Sequence, residues 1–294
     1  MLSGGDAIAS GFVKIVKFIR NMQDTARTLR AQGRRIGFVP TMGNLHDGHL
    51  SLIRIAKRQA DVVAVSIFVN PAQFGPHEDF AAYPRTFDAD CALCEREGVD
   101  LVFHPSAEEM YPEGASTAVT EKALSRDLCG ASRPGHFDGV CTVVAALFHI
   151  VQPQLAVFGE KDAQQLRVIR RMVRDLHYPV EIVPGPTVRE ADGLALSSRN
   201  QHLTPAQRVQ AVCLRRALDE AEQRFAAGER NPQALKDAMR ARIAREPDAR
   251  IDYVEIADDD TLEPLDGPIT RPALAALAVR IGHPRLIDNT VLRP

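Results

Sequence analysis

From Arg35 to Pro105 near-continuous apolar runs alternate with amphipathic stretches, in the order RIGFVP, HLSLIRIAKRQA, DVVAVSIFVNP, FDADCALCEREG and VDLVFHP. Val, Ile and Phe runs without polar alternation are strands buried on both faces. Separated by segments of helical period, they form a parallel sheet covered by helices. The same strand signal returns in LAVFGEKD and VEIVPGPTV, with QQLRVIRRMVRDL as the helix between them. An α/β, Rossmann-like parallel sheet is therefore expected over residues 1–187. From Val188 the pattern changes. A polar, mobile-looking loop, READGLALSSRN, leads to Thr204-Pro205, an N-cap followed by a first-turn proline. Two helical stretches, AQRVQAVCLRRALDEAEQRFAAG and NPQALKDAMRARIAREP, then precede strand-like IDYVEIAD, ALAALAVRIG and PRLIDNTVL, so residues 188–294 read as a smaller α+β domain acting as a lid.

The chemistry-bearing residues gather where predicted strands hand over to helices, the edge at which open α/β sheets bind ligands. RIGFVP exits into TMGNLHDGH. Gly43 and Gly48 let backbone approach a ligand, and the N–H groups of the following helix start suit a phosphate. If helix begins at Asp47, His49 shares a face with Leu52, Ile53 and Ala56, and His46 can point the same way. Two imidazoles there suit negative charge growing on an α-phosphate. Either histidine alone reads as readily as a cap or a packed ring, but the HxGH spacing after a strand is more specific. Gly159-Glu160-Lys161-Asp162 leaves a second strand, with Lys161 as a point charge for phosphates and Asp162 for a ribose hydroxyl or a Mg²⁺-bound water. Leu196-Ser197-Ser198-Arg199 offers hydroxyls and a guanidinium for a triphosphate. Asn70, Gln73, Gln164 and Gln165 are neutral amides suited to an acceptor's hydroxyl and carboxylate groups.

Charge and cysteine usage narrow the class. Lys plus Arg number 36 against 38 Asp plus Glu, so no net positive field collects nucleic acid or an anionic membrane. VKIVKFIR is interrupted by Lys14 and Lys17, which argues against a signal peptide or a membrane span, and a cytoplasmic protein is expected. Residues 1–12 carry small residues and no periodicity and read as a mis-called start or a floppy leader. The five cysteines read as reduced thiols. Cys91-x-x-Cys94 lacks a second pair to close a zinc site and reads as structural, and the two histidines lack a third ligand, so no metal site is assigned to the protein.

Together PTMGNLHDGH, SIFVNPAQF, YPRT, ASRPGHFDGV, QPQLAVFGEKDAQQL, DGLALSSRN and RLIDN resemble the pantothenate synthetases, the pantoate–β-alanine ligases, from about Gly33 to Asn289. HxGH and Ser-Ser-Arg are also similar to the signatures of class I aminoacyl-tRNA synthetases and related nucleotidyltransferases. The resemblance implies that pantoate attacks the α-phosphate of ATP to give pantoyl adenylate and pyrophosphate, and that β-alanine then displaces AMP. It implies an ATP site of Met42, Gly43, Asn44, Leu45, His46, Asp47, Gly48, His49, Gly159, Glu160, Lys161, Asp162, Val188, Leu196, Ser197, Ser198 and Arg199. His49 is the family's proton donor with His46 beside it, and Lys161 and Arg199 act on the phosphates. Gln73 and Gln165 bind pantoate, Mg²⁺ accompanies ATP without an organic prosthetic group, and the chain forms a homodimer. Two other readings remain open at this point: an HxGH nucleotidyltransferase acting on a phosphate ester, and a non-catalytic synthetase-like binding protein. Ala163 and Gln201-His202 depart from the family's usual residues, away from the proposed chemistry.

Overall fold

The structure is a computed structural model that describes residues 13–294 except His77 and Asp79; the leader expected at residues 1–12 lies outside the described residues. In chain order the elements are β1 (Lys14–Val16), α1 (Ile19–Ala31), β2 (Ile36–Thr41), α2 (Asp47–Gln59), β3 (Val62–Ile67), α3 (Phe87–Arg96), β4 (Leu101–Phe103), α4 (Ala107–Met110), α5 (Cys129–Ser132), α6 (His136–Val151), β5 (Leu155–Gly159) and α7 (Ala163–Asp175). They continue with β6 (Glu181–Gly185), α8 (Pro205–Ala211), α9 (Cys213–Ala226), α10 (Pro232–Ile243), β7 (Ala249–Asp258), β8 (Ala273–Ile281) and β9 (Arg285–Leu292). Strands β1 to β6 form one parallel sheet in the order β1-β4-β3-β2-β5-β6, and β7-β8-β9 form a separate antiparallel sheet. This is the α/β class that the apolar runs predict.

Packing divides the chain into two compact units. One holds the described residues up to Thr120 together with Asp138–Gly159 and Ile169–Gly185. The other holds Glu121–Phe137, Glu160–Val168 and Pro186–Pro294. The second unit thus takes in two segments that the linear reading assigns to residues 1–187. Polar side chains tie them there. Gln164 accepts from Cys129 N and donates to the Leu124 and Asp127 carbonyls, at 2.9, 2.8 and 2.8 Å. Arg167 pairs with Asp259, and Asn289 donates to the Glu160 and Lys161 carbonyls at 3.0 and 2.9 Å.

In the first unit every residue of β3 is buried, as are Ile36, Phe38 and Val39 of β2 and all of β4. α2 covers this sheet with Leu50, Ile53 and Ala56. The buried stripe therefore runs through Leu50, whereas His49 and Leu52 are only half-buried beside it. β1 is a strand that the apolar runs do not announce. It sits at the sheet edge next to β4, where an exposed lysine such as Lys14 discourages further strand pairing.

The second unit has its own core, in which Leu214, Ala217, Leu218 and Ala221 of α9 and Leu235 and Met239 of α10 pack on Val254, Ile256, Ala275 and Leu277. The single long helix expected over 206–228 is broken at Val212 into α8 and α9. Among the described residues no helix is long and apolar enough to cross a membrane.

Candidate active site

The strand order reverses at β2, which has β3 on one side and β5 on the other. A crevice outside the carboxyl ends of β2 and β5 is where such a sheet binds ligands. The carboxyl end of β2 is Thr41, and the loop that follows turns through consecutive left-handed residues, Gly43 at φ 82° and Asn44 at φ 51°, before α2 begins. Thr41 anchors the turn, its Oγ1 donating to the Ser66 carbonyl at 2.7 Å and accepting from Gly43 N at 3.1 Å.

The histidines cap α2 reciprocally. His46 is the N-cap and its Nδ1 accepts from Gly48 N at 3.2 Å. His49 Nδ1 in turn accepts from His46 N at 3.3 Å. The two rings lie with centroids 4.2 Å apart. An imidazole nitrogen that accepts an N–H carries no proton, so both rings hold theirs on Nε2. The N–H groups of this loop and helix start are the ones that the sequence offers to a phosphate, and several of them have partners within the protein. Those of Asn44 and Leu45 bind the Asp90 carboxylate, and those of His46, Gly48 and His49 bind within the cap.

Gln73 is oriented by a chain of hydrogen bonds. Ala72 N donates to Asn70 Oδ1 at 3.3 Å and Tyr111 OH does so at 2.7 Å, which fixes the amide and sends Asn70 Nδ2 to the Gly139 carbonyl and to Gln73 Oε1 at 3.0 and 3.1 Å. Gln73 Nε2 then faces Met42 Sδ at 3.1 Å, so a buried amide donor lies beside the HxGH loop. Burial pushes the Tyr111 phenol up to about 12, so it stays a donor to Asn70 even in alkaline solution near pH 10.

In the second unit, Glu160–Asp162 form a 3₁₀ turn that enters α7, with Lys161 half-buried and Asp162 exposed. Gln165 is half-buried on α7. Gln164 is buried, and both ends of its amide hold the 121–132 segment, so it is a brace and not the acceptor-facing amide expected from the sequence.

The polar loop is braced as well. Leu196 N donates to the Val188 carbonyl and Glu190 N to the Leu194 carbonyl, at 3.0 and 2.8 Å, and Arg189 makes a bidentate pair with buried Asp288 at 2.7 and 2.9 Å. Ser197 caps the 3₁₀ turn Ser198–His202, its Oγ accepting from Arg199 N at 3.3 Å, an acceptor role that does not use its hydroxyl proton.

The cysteines form no disulfide. Burial pushes Cys94 and Cys213 up to about 12, far from thiolate chemistry. Among the described residues no group of three or more His, Cys, Asp or Glu side chains could hold a metal ion.

Sequence reasoning missed Asp90, Tyr111 and Asp288. Asp90 reads as an acid favouring a helix start and Tyr111 as a loop aromatic, and nothing local marks either one. Asp288 lies in the RLIDN segment, where the sequence alone gives it no role.

Residues 14–291 match the family described as pantoate-beta-alanine ligase. A pantothenate synthetase of Thermotoga neapolitana is 55% identical over 95% of this chain and 100% of its own length. The pantothenate synthetase of Thermus thermophilus superposes with a TM-score of 0.90 at 47% identity, covering 96% of this chain and 100% of that one. A pantoate-beta-alanine ligase of Francisella tularensis, solved with beta-gamma ATP and beta-alanine, reaches a TM-score of 0.78 at 35% identity over 95% and 97%. The family match runs through both units and the relatives align over nearly their whole length, so the chain belongs to the pantoate–β-alanine ligases, the enzymes of pantothenate synthesis.

Proposed function

We propose that the chain joins pantoate to β-alanine in two steps. A pantoate carboxylate oxygen attacks the α-phosphorus of ATP, and the bond to the pyrophosphate oxygen breaks to give pantoyl adenylate. The amine of β-alanine then attacks the acyl carbon, AMP leaves with the electrons of the C–O bond, and the amine proton passes to solvent. The reciprocal cap carries this reading, because it engages Nδ1 of both rings with backbone N–H groups and so fixes the proton of each on Nε2, at the switch point of the sheet. Such donors stabilise charge on the α-phosphate oxygens as pyrophosphate departs. His49 is the proposed principal donor and His46 its neighbour.

The remaining loop residues Met42, Gly43, Asn44, Leu45, Asp47 and Gly48, with Gly159 and Glu160, shape the nucleotide's surroundings. Lys161, Ser197, Ser198 and Arg199 hold its phosphates, and Val188 and Leu196 its remaining contacts. Gln73 and Gln165 bind pantoate as neutral donors. The beta-gamma ATP and beta-alanine held by the Francisella relative support both substrates here. Mg²⁺ arrives on the triphosphate as part of the substrate, with Asp162 able to hold one of its waters. We also propose a cytoplasmic homodimer and a smaller domain over residues 188–294, and light scattering tests the dimer.

Adenylation without a covalent enzyme intermediate makes a specific demand. Exchange of labelled pyrophosphate into ATP is expected to require pantoate and to proceed without β-alanine. Exchange in the absence of pantoate, or only with a phosphorylated acceptor, would sink this mechanism in favour of a phosphate-ester nucleotidyltransferase.

Asn289→Ala removes both side-chain bonds to the Lys161 turn. Each such bond contributes about 1 kcal/mol, so KM for ATP is expected to rise by roughly threefold to tenfold while the fold persists. An unchanged ATP titration would show that the turn holds its shape without Asn289.

A further inference from the structure

We infer that Asp90 is a positioning residue that sets the two histidine donors. This rests on the proposed role of His49 and extends it to a residue that need not touch substrate. Asp90 lies on α3, in a different part of the sequence from the HxGH loop, and is 1% exposed. A carboxylate so buried is costly unless it is fully hydrogen-bonded. Here the left-handed pair Gly43 and Asn44 brings successive backbone donors together, and Asp90 fills the position where they converge. Oδ2 accepts from Asn44 N at 2.9 Å and Oδ1 from Leu45 N at 2.8 Å, while Thr86 Oγ1 donates to Oδ2 at 3.2 Å. A methyl group at Gly43 would lie 2.9 Å from Oδ2, so the loop and the carboxylate are already at closest approach.

The residue after Leu45 is His46, whose own N–H reaches His49 Nδ1. The path from Asp90 to the donors is therefore short and continuous: carboxylate, two peptide N–H groups, the N-cap, then both rings. Without the anion, Asn44 and Leu45 would bury two donors lacking partners, and the left-handed turn would keep only its Thr41 anchor. The cap would no longer start from a fixed place. The same placement means that the protein's own carboxylate, and not a substrate phosphate, takes the N–H groups of Asn44 and Leu45.

Asp90→Asn keeps the shape but sets an amide donor against a backbone donor. In pantoate-dependent pyrophosphate exchange it is expected to lower kcat about 10- to 100-fold, the effect of a misplacement near 1 Å, with KM for ATP and pantoate within about threefold. The decisive measurement is a double-mutant cycle with His49→Ala. If Asp90 acts through the histidines, Asp90→Asn costs several-fold less in the His49→Ala background than in the parent, the remainder being what passes through His46. An equal cost in both backgrounds, or wild-type kcat in folded Asp90→Asn, overturns the inference. Thr86→Val removes only the hydroxyl donor to Oδ2, and it carries the same cycle at a smaller effect if Asp90→Asn fails to fold. Unchanged kcat in His49→Ala would defeat the donor reading and this one together. A slowed His49→Ala beside a normal Asp90→Asn would defeat this one alone.

Discussion

His49→Ala is expected to slow pantoate-dependent pyrophosphate exchange by about 10²- to 10³-fold, the usual cost of removing one transition-state donor. The loss should fall on kcat, because charge on the α-phosphate oxygens grows only as pyrophosphate leaves and the donor is worth most then. Alanine also deletes the acceptor for His46 N, so part of any effect belongs to the helix cap. A lost cap costs about 1 kcal/mol of stability and does not by itself act on the chemical step. Two further substitutions separate these contributions. His46→Asn keeps a good N-cap residue while removing one Nε2–H donor, so it should melt like the parent and still turn over more slowly. His49→Gln retains an acceptor oxygen and an N–H₂ donor on a flexible chain and should recover part of the rate. Full activity in a folded His49→Ala enzyme would remove the imidazole from the mechanism, and a deficit that tracks only the melting temperature would make it a cap.

The parts of this site that were legible in the sequence are those whose physics is local. Runs such as VVAVSIFV reveal a doubly buried strand because all positions but Ser66 are apolar, and HxGH shows itself because a strand exit, two glycines and a one-turn histidine spacing lie within ten residues. What stayed hidden depends on contacts across the chain. Asp90 reads as a first-turn acid of α3 until its partners Asn44 and Leu45 are seen, about 45 residues away. Gln164 and Gln165 are adjacent and chemically identical, so only the fold decides that the first is consumed by Cys129, Leu124 and Asp127. For the same reason a linear domain boundary could not show that 121–137 and 160–168 pack with the residues after 186. The loop READGLALSSRN looked mobile by composition. The bidentate pair of Arg189 with Asp288 that braces it is invisible at a separation of 99 residues.

Gly139→Ala is expected to weaken both the fold and pantoate recognition, against the direction that helix propensity would give. Gly139 lies in the first turns of α6, where replacing glycine by alanine ordinarily gains about 1 kcal/mol. The added methyl, however, would meet Ala72 O at 2.2 Å, Ala72 C at 2.4 Å and Gln73 Cα at 2.6 Å. These are backbone atoms, so no side-chain rotation relieves the overlap, and overpacking of this kind costs about 1–3 kcal/mol. The same displacement strains the bond from Asn70 Nδ2 to the Gly139 carbonyl, worth about another 1 kcal/mol. The unfavourable contributions therefore exceed the propensity gain. Asn70 fixes the orientation of Gln73, so the damage passes from helix to amide to acceptor site. KM for pantoate in the exchange reaction should rise by about tenfold or more, with KM for ATP much less affected, because a single well-placed donor to a polar substrate is worth about 1.4 kcal/mol or more. Gly267→Ala is the matched control, since a methyl there meets nothing within 4 Å, and its melting temperature and pantoate KM should stay at the parent values. If Gly139→Ala instead melts higher than the parent with an unaltered pantoate KM, helix propensity has won, and α6 must be able to shift away from the Asn70–Gln73 loop without disturbing the amide that pantoate is proposed to meet.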